Sequence, residues 1–145
     1  MQVRPMIAAD RGEVLPMVRQ FYQGPAVEHA VAEDIICRTF ADAVGENPYL
    51  EGFVMEEGEQ TVGFAYLTHF YSCEVAGKVT MIEELFVKEE YRGRGFGQQF
   101  MDWLYAACAD TVRFRLEITP ENRAVHLYLR NGFRDYPYGQ MVYDR

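Results

Sequence analysis

The run Tyr91-Arg92-Gly93-Arg94-Gly95-Phe96-Gly97 joins a β-rich stretch, KVTMIEELFV, to an amphipathic helical one. A strand, a glycine-rich turn and a helix in direct succession must pack as one unit, which leaves few architectures open. The N-terminus of a helix offers unpaired N–H groups and a partial positive charge. Glycines let the backbone approach an anion closely, and Arg92 and Arg94 add charge. These features describe a cradle for a phosphate or pyrophosphate. Two familiar versions are excluded. A dinucleotide fingerprint needs a third glycine where this chain has Gln98, and a Walker loop needs a lysine that is absent. The pattern [QR]-x-x-G-x-[GA] does fit, through Arg92, Gly95 and Gly97.

The flanking segments follow from their periodicities. Residues 2–6 read as an opening strand. Val14, Met17, Val18 and Phe21 recur at helical intervals, with Asp10 as candidate N-cap and Pro16 as a candidate kink. Residues 28–44 repeat the pattern through Val31, Ile35, Ile36, Phe40 and Val44. From Tyr49, YLEGFVMEE and QTVGFAYLTHFY form an expected hairpin turning at Glu57-Gly58-Glu59, and KVTMIEELFV adds a third strand. A helix over about 96–109 follows, with Phe96, Phe100, Trp103, Leu104 and Ala107 on its apolar face. VRFRLEIT reads as a strand, and residues 122–130 as a helix stopped at Asn131-Gly132. FRDYPYGQMVYD is expected to add one or two strands. The resulting order, β-α-α-β-β-β-α-β-α-β, is an α/β (α+β) fold. With 145 residues and no repeat or linker, it reads as a single domain over residues 1–145.

Charge narrows the partners. At −8, the chain lacks the basic stripe that nucleic acid requires, so no nucleic-acid partner is expected. An acidic surface attracts cationic small molecules or basic protein segments. No stretch approaches the ~20 apolar residues of a membrane span, and no secretory leader is visible. Cys37, Cys73 and Cys108 lack CxxC spacing and read as reduced thiols in a cytoplasmic protein. His29, His69 and His126 are scattered, so no metal is expected.

From Thr61 to Phe133 the sequence resembles the GNAT (GCN5-related N-acetyltransferase) superfamily. EELFVKEEYRGRGFG looks like its cofactor segment. LEITPENRAVHLYLRNGF looks like the next one, with A-x-x-L-Y-x-x-x-G-F matched by Ala124, Leu127, Tyr128, Gly132 and Phe133. The resemblance implies a mixed, mostly antiparallel sheet splayed into a V, with helices on both faces. It implies acetyl-CoA as cosubstrate in the V. The pantetheine arm would then pair with Leu85, Phe86 and Val87. The pyrophosphate would sit on N–H groups of Arg92, Gly93, Arg94, Gly95, Phe96, Gly97 and Gln98. Asn122 resembles a polar contact to the CoA arm, although it precedes Ala124 by two residues where the family usually has three.

Aminolysis of a thioester needs a neutral amine, and alkyl amines have pKa values near ~10, so a proton acceptor is useful. The departing thiolate needs a proton, and Tyr128 resembles the family's general acid. Glu83 and Glu84 are consecutive on a strand, so simple alternation sends them to opposite faces. MIEELFV resembles the polyamine and thialysine acetyltransferases, which are acidic at both positions. Glu83 ranks first as base, Glu84 second as an amine-binding group, and Glu117 third. A base acting through water fits equally well. Tyr66, Phe70 or Tyr71 could line an acceptor pocket. The reading is an N-acetyltransferase acting by direct transfer on a small cationic primary amine. A protein or peptide N-acetyltransferase and a non-catalytic CoA-binding regulatory module are the alternatives. The apolar C-terminal run YPYGQMVY could pair across a homodimer.

Overall fold

The computed structural model describes residues 1–27 and 29–145. Strand β1 spans Gln2–Pro5, helix α1 Arg11–Tyr22 and helix α2 Glu33–Ala43. Strands β2 (Leu50–Glu57), β3 (Gln60–Ser72) and β4 (Gly77–Val87) follow in succession. Helix α3 (Phe96–Ala107), strand β5 (Arg113–Leu116) and helix α4 (Val125–Arg130) complete the order. The five strands form one sheet in the order β1-β2-β3-β4-β5, antiparallel throughout except for the parallel pair β4–β5.

Each face of the sheet buries its own apolar set. On one, Val14, Leu15, Met17 and Val18 of α1, with Ile36 and Phe40 of α2, pack on Val54, Phe64, Tyr66 and Phe86. On the other, Phe96, Phe100, Met101 and Leu104 of α3 pack on Met55, Val62, Ala65, Leu67 and Ile82. Phe100 and Leu104 are fully enclosed, and burying such side chains contributes roughly 1.5–3 kcal/mol each. Trp103 sits at the margin with its ring 4.8 Å from that of Phe53, while Ala107 is exposed and Cys108 takes the buried place at the helix end.

Several boundaries differ from the periodicity. Helix α1 runs through Pro16 without a break in the assigned helix. Asp10 does not cap it: its carboxylate accepts from the Ile7 N–H and the Arg4 guanidinium instead. Helix α2 begins at Glu33, and the expected start at residue 28 lies outside the described residues. The largest departure is C-terminal, where residues 134–145 carry no strand. Pro137 has no N–H to give to a ladder. Tyr136 is held by side chains, donating to the Glu74 carboxylate at 2.6 Å and stacking 4.8 Å from the Arg115 guanidinium. Met141, Val142 and Tyr143 remain exposed, so no burial draws this run onto the sheet.

Candidate active site

Strands β4 and β5 pair only from Val79–Arg113 to Ile82–Leu116. Strand β4 then continues through Glu83, Glu84, Leu85, Phe86 and Val87 with no strand on that side. Beyond β5 the chain turns away, and the Thr119 hydroxyl donates to the Pro25 carbonyl at 2.5 Å. The split leaves a slot along the end of β4. On its other edge the Lys88 N–H donates to Val62, and antiparallel bonding alternates. Phe86 therefore turns its backbone toward β3, while Leu85 and Val87 present theirs to the slot. The Val87 carbonyl already accepts from Arg92 Nε at 3.0 Å.

A β-bulge shapes the centre of the slot. Tyr66 pairs with Glu84 and Leu67 with Ile82, so Glu83 is an extra residue on β4. The bulge overturns simple alternation. Ile82 faces α3, yet Glu84 faces α1 and receives a hydrogen bond from the Tyr22 hydroxyl at 2.5 Å. Glu83 shares that face, because its Oε1 accepts from Thr68 Oγ1 at 2.5 Å. Both carboxylates thus lie on the α1–α2 side.

Their environments differ. Glu84 is buried, and loss of water pushes its carboxyl up to about 7. The Tyr22 hydrogen bond opposes that rise, and the charge of Glu83 adds to it. Burial first, and Glu84 second, raises the phenols of Tyr22 and Tyr66 well above the usual tyrosine value. Glu84 Oε2 and Tyr66 Oη are buried without a hydrogen-bond partner among the described residues. Glu83 is exposed, as is Glu117, the first residue beyond β5.

Comparison with known proteins gives this arrangement a family. The family model described as "Acetyltransferase (GNAT) domain" matches residues 48–135, which span β3, the bulged β4, the glycine loop and α4. The chain belongs to the GNAT acetyltransferases. It is 30% identical to the thialysine N-epsilon-acetyltransferase of Sus scrofa, across 92% of this chain and 84% of that protein. Among solved structures, an integron cassette protein from the mobile metagenome of Cole Harbour Salt Marsh superposes with a TM-score of 0.80 at 23% identity. It covers 99% of this chain and 90% of the other. A structure of AAC(6')-Iy in complex with the bisubstrate analog CoA-S-monomethyl-acetylneamine gives a TM-score of 0.77 at 17% identity, over 99% and 97%. Those two likenesses show the fold; the family model and the pig relative identify an N-acetyltransferase.

In this GNAT protein the loop arginines brace the loop. Arg92 lies 5.5 Å from the Phe86 ring centre as well as on the Val87 carbonyl. Arg94 pairs with Glu57 at 2.7 Å and stacks on Tyr91 and Phe96. The anion-directed groups left are backbone N–H groups. Gly93 and Gly95 hold φ of 73° and 82°, the left-handed region that favours glycine. A Cβ built on either meets nothing within 4 Å, so open space fronts the loop. That space and the open edge of β4 fit a pantetheine–pyrophosphate ligand, and members of this family use acetyl-CoA. A Cβ on Gly97 would come within 2.9 Å of Leu127, so that glycine lets α3 approach α4. Gln98 exchanges hydrogen bonds of 2.9 Å with Asn131, which leaves its backbone for the cradle.

Tyr128 is buried on α4, its ring 5.7 Å from that of Phe133, and burial pushes its phenol up to about 12. Asn122 turns its Oδ1 onto the Ala124 N–H at 2.8 Å, stabilising the entry to α4. Tyr22 had no signal in the sequence beyond its place at the end of an amphipathic run. Its contact with Glu84 spans 62 positions. Among the described residues no group of three or more His, Cys, Asp or Glu side chains could hold a metal ion, and no helix is long and apolar enough to cross a membrane.

Proposed function

We propose that this N-acetyltransferase moves an acetyl group from acetyl-CoA to the primary amine of a small cationic molecule, by direct transfer within one domain. The observation carrying this reading is the placement of Glu83 and Glu84 on one sheet face, beside the open end of β4. Acetyl-CoA supplies the acyl group, activated as a thioester. Leu85 and Val87 offer backbone groups to the pantetheine arm, and the N–H groups from Gly93 to Gln98 hold the pyrophosphate, that of Arg92 being given to the Glu89 carbonyl. Phe86 packs beneath them, and Asn122 steadies α4.

The incoming ammonium is drawn by the exposed carboxylate of Glu83. Glu84 takes the proton that the amine must lose to attack. A carboxyl near 7 is matched to that task, because it is part ionised at neutral pH and binds a proton readily. This reverses the order expected from sequence, since Glu84 is enclosed beside the open end of β4 whereas Glu83 is exposed, with Thr68 on one oxygen. The N–C bond forms as the C–S bond breaks; Tyr128 gives its phenolic proton to the departing sulfur, and the second proton shed by the new amide nitrogen returns through water to the phenolate. The named activity of the pig relative favours a primary amine acceptor.

Thiol release from acetyl-CoA tests the proposal, measured across thialysine, lysine, polyamines, aminoglycosides and short peptides. Release with a free amine is the expected result. Release with peptides alone would replace this reading by a protein acetyltransferase, and acetyl-CoA binding with no release would favour a regulatory module.

A further inference from the structure

The Tyr22–Glu84 contact is unlike the other polar contacts of the described residues. Most of those sit at the rim, where an ion pair adds little. Tyr22 instead comes from the last position of α1 and reaches the bulged segment of β4, where Glu84 is enclosed. The groups around that carboxylate are few. Helix α1 contributes the Tyr22 hydroxyl, β3 contributes the Tyr66 hydroxyl directly across the ladder, and β4 itself contributes Glu83. Helix α2 brings Ile36 and Phe40 to the same cluster, with Cys37 and Ala43 half-buried at its margin. No cation faces Glu84 in this set, so the Tyr22 O–H is the one group that favours its charged form.

The two oxygens of Glu84 are consequently not equivalent. Oε1 accepts a short hydrogen bond, whereas Oε2 is buried and unpartnered among the described residues. Tyr66 Oη, on the opposing residue, is also unpartnered. A buried carboxylate oxygen without a donor is costly. An ammonium carries three donors and no acceptor, which complements that free oxygen.

We propose that Tyr22 is a positioning residue for acetyl transfer: it holds Glu84 through Oε1 so that the unpartnered Oε2 is left to take the proton of the acceptor amine. The inference rests on Glu84 as proton acceptor, and Tyr22 touches neither substrate. Its hydroxyl orients the carboxylate and favours its charged form against the cost of burial. No covalent bond to Tyr22 forms or breaks, and its own proton stays on the phenol oxygen.

The test compares Tyr22→Phe with the unmodified protein by two readouts. The first is carboxyl-carbon NMR titration of Glu84, its resonance assigned by its loss in Glu84→Gln; this needs no acceptor. Removing the donor is expected to move the Glu84 midpoint upward by about one pH unit. The second is the pH profile of kcat/KM for acetyl transfer, whose acid limb is expected to move upward by the same amount. A fold merely weakened by the substitution would lower activity at every pH and leave the limb in place. In the Glu84→Gln background, Tyr22→Phe is expected to change kcat by less than about twofold, since coupled residues are not additive. An unmoved Glu84 midpoint, or losses that multiply in the double variant, overturns the positioning role. Full activity of Glu84→Gln would instead overturn the proton-acceptor reading on which it rests, so the two failures are distinguishable.

Discussion

Glu83 and Glu84 are neighbours in the chain, yet both side chains lie on the α1–α2 face of the sheet, because Glu83 is the extra residue of a bulge. One carboxylate is left exposed, with Thr68 on one oxygen; the other is enclosed under α1. Two acidic groups of like chemistry thereby acquire different environments. For Glu84→Gln we predict a fall in kcat of at least about tenfold, or about 1.4 kcal/mol of barrier, with loss of the acid limb near pH 7. Glu83→Gln should chiefly raise the KM for the amine. Steady-state kinetics from pH 5.5 to 9 separates the two, using roughly the range in which such groups titrate. A rate defect confined to Glu83→Gln would return the base to Glu83.

The same burial has a thermodynamic sign. The folded state raises the Glu84 carboxyl above its unfolded value, so it binds more protons than the unfolded chain between the two values. Its contribution to stability is complete below the unfolded pKa and is lost as pH rises through about 7. Glu84→Gln, neutral at every pH, should therefore gain on the unmodified protein as pH rises from about 4.5 to about 7. The gain is on the order of 3 kcal/mol at most. Urea unfolding at several pH values measures it, and a pH-independent difference would contradict the buried-carboxyl account.

Tyr128 stands on the α3–α4 side, removed from water, with its phenol held protonated to about 12. Tyr128→Phe keeps the ring and its contact with Phe133. We predict a loss of turnover of at least about tenfold with acetyl-CoA affinity nearly unchanged. Calorimetric titration with CoA beside the kinetic assay checks both halves; unaltered turnover would remove Tyr128 as the proton donor.

Arg92 ties the glycine loop to the end of β4 through the Val87 carbonyl and the Phe86 ring. Arg92→Ala should loosen both walls of the cradle at once. The expected outcome is a KM for acetyl-CoA raised by about tenfold, with kcat within about twofold of the original. A defect in kcat alone would mean that the loop serves the chemistry and not the cofactor.

Much of this fold was legible because its causes are local. Helix α3 announces itself through the spacing of Phe96, Phe100 and Leu104, and the hairpin β2–β3 through the turn at Gly58, whose φ of 62° suits glycine. The glycine loop and Tyr128 carry residue types that only a few chemistries require, so the family could be read before any coordinates. What could not be read depended on partners distant in sequence. The C-terminal run has the composition of a strand, but Tyr136 is claimed by Glu74 and Arg115, and no strand forms.

The acidic pair draws the dividing line most clearly. Composition and order alone determine that two carboxylates stand side by side in the chain, on a strand leading into a glycine-rich loop. Their directions follow from a register shift against Tyr66 and Leu67, and strand alternation does not reveal where a bulge interrupts it. Their protonation follows from how much water α1 excludes and from a phenol 62 positions away. Burial and long-range hydrogen bonds are properties of packed surfaces, so only the tertiary structure could leave one glutamate in water and enclose the other.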